Sequence, residues 1–225
     1  MTSLEQLAQT FTSFVCSQLG ANIALARVYA IVPFESLPDD AHGFATTLAQ
    51  SKNLTLNPST PILSLLGTSG AKPEWNDRAR SRGHLAIPLA STSFVMGIPM
   101  ISRLVTEMGG NLKMFDTVRV GAARRLTMTG LFHVRDAATA KDSEDRLIIP
   151  AREFVAEERI KSVFAAGTTT SDGLFITALL FVREVVERPQ AQRFLPVLEL
   201  LKSATAKHVG LGRVFAKPAK RLTLA

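Results

Sequence analysis

Apolar positions along this chain recur with helical spacing in some segments and run continuously in others. Leu4, Leu7, Ala8, Phe11, Phe14, Val15 and Leu19 form one stripe, with Ser3 placed to cap a helix and Gly20 to end it. Such a stripe needs a cover, either the domain's own sheet or the terminal helix together with a second copy of the chain. The apolar run from Ile23 to Phe34 reads as a strand. Pro38 to Gln50 reads as a helix, because proline suits a first turn and Asp39 and Asp40 complement the helix dipole there. Short apolar runs at Pro61–Leu66 and His84–Leu89 predict two more strands on either side of the polar loop Gly67–Gly83. Ser93 to Met108 is helical in pattern, with a break or restart at Pro99 and a stop at Gly109.

Further strands are expected at Phe115–Val120 and Leu131–Val134, joined by the basic stretch Arg119–Arg125, and a short helix from Pro150 to Glu157. Ile160–Gly167 and Leu174–Arg183 are rich in β-branched and aromatic residues, and Asp172-Gly173 between them predicts a hairpin. Phe194, Val197, Leu198, Leu201 and Ala204 then recur at helical spacing after Pro189, up to Gly210. The count is five or six mostly antiparallel strands with helices at both ends, an α+β class. Neither repeats nor linkers are visible. The expected organisation is an N-terminal helix over 1–21, one domain over 22–210 and a basic mobile tail over 211–225.

Composition narrows the options. A chain of 225 residues with 46% hydrophobic content can fill one large core. No apolar run reaches the roughly 20 residues that span a bilayer, and the start lacks a secretory pattern, so a cytoplasmic location is expected. Cys16 is the single cysteine, which excludes an internal disulfide and a cysteine zinc site; on its apolar helix it is expected to be an inert thiol. The formal charge of +7 suits an anionic partner without choosing among nucleic acid, acidic protein and small anion.

The segments Phe132–Ala138, Ile149–Ala151, Phe154-Val155, Ile160–Phe164, Gly173–Phe175 and Leu180–Arg183 resemble those of GAF-like domains. These belong with PAS domains to the small-molecule sensors found ahead of bacterial histidine kinases and other signalling outputs. The likeness extends from residue 130 to 208 by segment and from 22 to 130 by element order. It implies a mostly antiparallel sheet with flanking terminal helices. It also implies a pocket between one sheet face and the loops and short helices crossing it, here the Gly67–Gly83 loop, the 93–108 helix and the loop before Pro150. Some members of the family have lost ligand binding and serve as dimerising scaffolds. No output-domain pattern follows residue 208, so the signal is expected to pass through a partner protein or through a homodimer paired by its terminal helices.

Within that frame the candidate ligand-binding residues are Trp75, Arg78, Arg82, His84, Met96, Met100, Phe132 and His133, which combine apolar walls with polar groups able to orient a ligand. The 67–83 loop concentrates arginines with the only Trp, so a small anionic or aromatic ligand is expected, although the same arginines could be solvated or ion-paired. Its glycines lack the Lys-Ser or Lys-Thr of a phosphate loop. His84 and His133 leave a haem ligand open, though neither has a second ligand at metal spacing. The serines sit in no nucleophile elbow, and a non-enzymatic role is expected, with catalysis from distant residues left open. Nucleic-acid binding through Arg119–Arg125 and the tail lysines ranks below sensing, since no helix-turn-helix, finger or stacking surface accompanies them. A purely structural dimer scaffold is the remaining alternative.

Overall fold

The structure is a computed structural model, and it describes residues 2–81, 83–117, 127–210 and 212–216. Helix α1 (Leu4–Leu19) starts where the Ser3 hydroxyl accepts the Gln6 N–H and ends at Gly20, whose φ of +55° a glycine adopts freely. Strand β1 (Ile23–Pro33) follows, then α2 (Asp39–Ser51), β2 (Pro61–Gly70) and the short β3 (Ala86–Pro88). Helices α3 (Thr92–Met96), α4 (Pro99–Glu107) and α5 (Met114–Thr117) lead to β4 (Thr129–Val134). After α6 (Arg152–Glu157) the chain forms the hairpin β5 (Ser162–Thr169) and β6 (Phe175–Val182), then α7 (Arg188–Gln192) and α8 (Leu195–Gly210). The strands make one antiparallel sheet in the order β3-β2-β1-β6-β5-β4. The class is α+β, a six-stranded antiparallel sheet with N- and C-terminal helices.

Several elements differ from their sequence expectation for local reasons. Residues 114–117 are helical where a strand from Phe115 to Val120 is expected; the rest of that strand and the basic stretch Arg119–Arg125 lie outside the described residues, as does the tail beyond residue 216. The 93–108 helix is two helices, because Ile98 before Pro99 is held extended (φ −117°, ψ 91°). The terminal helix is also divided. Pro196 has no N–H to give Gln192 and its ring would clash with that carbonyl, so α7 stops at Gln192. Gly67–Gly70, expected as loop, continues β2.

One sheet face carries α1 and α8. Ala24, Ala26 and Ala30 on β1 are small, and Gly67 on β2 lies so close beneath α1 that a Cβ there would stand 2.4 Å from the Ala8 carbonyl carbon. Leu4, Ala8, Thr12 and Val15 are the buried side of α1, while Phe14 and Leu19 from the expected stripe are 57% and 42% exposed. Phe194 meets both Phe11 and Phe164 edge-on, at 6.4 and 5.8 Å between centroids, and so joins the start of α8 to α1 and β5.

Strand β3 pairs with only three residues of β2, Ile62 to Ser64. Past that point side chains complete the β2 edge. Gln9 of α1 donates to the Thr68 carbonyl at 2.7 Å and accepts the Thr68 N–H at 3.2 Å, and Asn76 treats Gly70 the same way at 3.3 and 2.9 Å. Each carboxamide thus replaces the hydrogen bonds a neighbouring strand would give. No helix among the described residues is long and apolar enough to cross a membrane.

Two substitutions test this arrangement by urea denaturation. Gly67→Ala should lower stability by about 1–3 kcal/mol, because α1 must lift from the sheet. Gln9→Ala should lower it by about 1–3 kcal/mol, because the Thr68 backbone is left unpaired.

Candidate functional site

The opposite sheet face holds a cavity of about 250 Å³. Its floor alternates along the strands, Leu25, Arg27 and Tyr29 from β1 beside Leu179 and Phe181 from β6, since side chains two apart share a face. Helix α6 and the loop before it supply Phe154, Pro150 and Ile149, α4 supplies Met100, and His84 enters just before β3. Trp75 closes one side. Its ring packs so tightly on Gly70 that a Cβ there would lie 2.9 Å from Trp75 Cε3, and it meets Phe154 edge-on at 5.6 Å, with Phe154 in turn edge-on to Phe181 at 5.4 Å.

The loop that carries Trp75 is strapped to α6 through charges. Lys72 Nζ lies 5.1 Å from the Trp75 ring centroid and 2.9 Å from the buried carboxylate of Glu158, which also pairs with Arg183 at 3.1 Å. Arg183 donates to the carbonyls of Ala21, Ile23 and Glu158, so the strap reaches the start of β1.

Arg27 is the unusual member of the floor. Its Nη1 donates to the Tyr29 hydroxyl at 3.3 Å, but Nε is buried without a hydrogen-bond partner, and no ion pair with any described residue compensates the charge. Thr68, its cross-strand neighbour on the same face, has a buried hydroxyl that is also unpartnered. Both residues open onto a second, more polar space of about 620 Å³ lined by Glu74, Trp75, Arg80 and Ser81. Two orphan polar groups side by side, one of them a cation, are costly unless something pairs with them.

His84 takes φ +60°, a left-handed conformation uncommon for a non-glycine residue. Its ring lies against two cavities, the one described and an apolar one beside α2 and α3, so it is solvent-accessible yet surrounded by protein. Desolvation, and after it the charge of Arg27, push its pKa below the ordinary histidine value. Near neutral pH the imidazole is uncharged and the field of the cavity comes from Arg27.

The structure brings together three of the eight expected ligand residues: Trp75, His84 and Met100. Arg78 takes the ion-paired alternative that the sequence leaves open for the loop arginines. It is buried, paired with Glu5 at 2.7 Å and Asp40 at 3.0 Å, and lies under the Phe215 ring at 5.7 Å, clamping α1, α2 and the C-terminal segment together. Arg82 lies outside the described residues. Met96 is 43% exposed, and its carbonyl accepts from Arg146. Phe132 is fully buried, with Arg103 6.0 Å from its ring centroid. The His133 ring donates through Nε2 to the Val186 carbonyl at 2.7 Å, and the residue is buried and does not line the cavity. Sequence reasoning missed Arg27 and Tyr29, whose signal is a cation and a phenol two residues apart inside an otherwise apolar strand. Among the described residues no group of three His, Cys, Asp or Glu side chains could hold a metal ion.

No protein-family profile and no curated protein matches the chain. Solved structures do. The fold is similar to the phycoerythrobilin-bound GAF domain of a cyanobacterial phytochrome, at 14% identity and TM-score 0.44, covering 92% of this chain and 88% of that one. It is similar to a methyl-accepting chemotaxis protein at 11% and 0.48, covering 94% and 93%. It is also similar to a type II free methionine-R-sulfoxide reductase from Thermoplasma acidophilum at 10% and 0.45, covering 95% and 99%. These are likenesses of fold, and at such distances the roles of residues do not pass from one chain to another.

Because the folded pKa of His84 lies below its unfolded value of about 6.5, its contribution to stability is complete above about pH 6.5 and is lost as pH falls through the folded value. His84→Asn tolerates the same backbone angle and should flatten that acid limb when urea denaturation is compared at about pH 5 and about pH 7.5. An unchanged limb would assign it to other groups.

Proposed function

We propose that this chain is a GAF-like sensory domain that binds a small organic anion with an aromatic or apolar body. In this reading the acid group of the ligand pairs with Arg27 and takes the Thr68 hydroxyl. Its apolar body lies between Leu179 and Phe181 on the floor and Phe154 and Trp75 on the wall. The observation that carries it is the half-buried Arg27 guanidinium on the floor of a largely apolar cavity, whose Nε is buried with no partner among the described residues, since a buried polar group left unpaired is destabilising. Pockets for small ligands combine apolar walls with a few polar groups that fix orientation, and a volume of about 250 Å³ suits a ligand of one ring rather than a large cofactor.

In this reading the output is a change of conformation or association and not a reaction. Phe14 and Leu200, exposed on α1 and α8, support pairing of two copies through the terminal helices as one route for the signal. An anion also stabilises the protonated form of His84 by offsetting Arg27, so binding in this reading is accompanied by proton uptake at slightly acid pH.

Thermal denaturation with benzoate, phenylacetate and 4-hydroxybenzoate tests the reading. A fitting carboxylate at about 100 times its Kd should raise Tm by on the order of 5–10 °C. Arg27→Met should abolish that shift while leaving the free protein as stable or more stable, by up to about 1–3 kcal/mol, because an unpaired buried group is removed. A shift of equal size in the variant, or a variant that is less stable for want of a structural partner, would refute the anchor.

A further inference from the structure

Outside the cavity, on the far side of α6, lies an open groove of about 580 Å³. Its floor is apolar, from Ala137, Ile149, Val155 and Ile160, all buried. Its rim is basic, from Lys141, Arg152, Arg159 and Lys161. Lys141 pairs with Asp145 at 2.8 Å, and Lys161 acts electrostatically on Asp136, whose carboxylate is held by Thr139 at 2.7 Å. The Arg152 and Arg159 side chains are exposed and have no hydrogen-bond or ion-pair partner among the described residues.

Arg159 is also in the wrong conformation for an ordinary surface arginine. It takes φ +55° at the position just past the end of α6. The hydrogen bonds there, Arg159 N–H to the Ala156 carbonyl at 3.2 Å and Ile160 N–H to the Val155 carbonyl at 2.9 Å, form the helix-closing motif in which that residue is usually glycine. The fold would be served as well by glycine, which has no side chain to strain. A cation held at positive φ with no hydrogen-bond or ion-pair partner among the described residues points to a role outside the fold's own packing.

We propose that this groove docks an acidic segment of a partner protein, with an apolar side chain on its floor and carboxylates on Arg152 and Arg159. Charge complementarity selects the occupant. Arg152 opens α6 and Arg159 lies two residues past its end, beside the apolar floor, and a single small anion cannot pair with a guanidinium and also fill that floor. A peptide with carboxylates on alternate or third residues can. The site goes beyond the ligand cavity and does not rest on it, although α6 is the wall between them: Phe154 faces the cavity and Val155 the groove, and Ile149 lines both. A ligand that displaces Phe154 would therefore move the groove wall, which makes this surface a route by which the cavity could be read.

The test is fluorescence anisotropy with a fluorescein-labelled peptide of alternating Glu and Leu, beside an all-Glu peptide of equal length. The Glu-Leu peptide should bind saturably and about tenfold tighter than the all-Glu one. Arg152→Gln and Arg159→Gly should each weaken it about fivefold or more, with the Tm of Arg159→Gly no lower than that of the parent. Arg27→Met should leave peptide binding unchanged, so failure of the cavity and failure of the groove are read separately. The proposal is overturned by no saturable binding up to about 1 mM, by equal binding of the all-Glu peptide, or by either arginine variant binding like the parent. Arg159-dependent binding of phosphatidylserine vesicles in place of the peptide would overturn it in favour of a membrane.

Discussion

The close approach of α1 to β2 sets the rest of the molecule. Because Gly67 has no side chain, the helix lies against the strand backbone, near enough for Gln9 to complete the hydrogen bonds of Thr68 and for Cys16 Sγ to donate to the Ser69 carbonyl at 3.3 Å. The β2 edge beyond β3 is therefore closed by side chains instead of a seventh strand, which a row of bare edge groups would otherwise invite. Burial raises the Cys16 pKa, consistent with a thiol that packs and does not react.

Leaving that edge without a strand has a consequence on the other face. A neighbouring strand would take the place beside Thr68 that the 71–77 loop occupies. Instead the 71–77 loop arches across, pinned by Asn76 to Gly70 and by Lys72 to Glu158, and Trp75 hangs from it as a wall. Arg27 and Thr68 are thus carried by the paired strands β1 and β2, while the wall that faces them is made of the 71–77 loop and α6.

Two arginines illustrate how little residue type says about role. Arg78, in the loop richest in turn residues, is enclosed by Glu5 and Asp40 and holds three segments together. Arg27, inside a strand of Ile, Ala, Leu and Val, has no carboxylate partner among the described residues and faces the cavity. Hydrophobic pattern leaves the first open between solvent, an ion pair and a ligand, and hides the second within a core strand. The difference is made by Glu5 and Asp40, 73 and 38 positions away, which no local signal couples to Arg78.

The elements with a strong period or a local signal were legible in the chain: α1 with Ser3 and Gly20, α2 with its leading aspartates, β1, the β5–β6 hairpin around Asp172-Gly173, and the α+β class with helices at both ends. Trp75, His84 and Met100 could be singled out because rare or polar residues in turns stand out. Lengths of elements were less legible, since Gly67–Gly70 has the composition of a loop and becomes strand only because β1 pairs with it. The composition and order of residues by themselves determined which segments are helical or extended and which of their faces are apolar, because those follow from contacts within a few residues. Only the tertiary structure decided the sheet order, which arginine is paired, that Arg27 and Thr68 share a face with Trp75 and His84, and that α6 divides a cavity from a basic groove. Those outcomes depend on contacts between residues tens of positions apart, for which the chain carries no periodic signal.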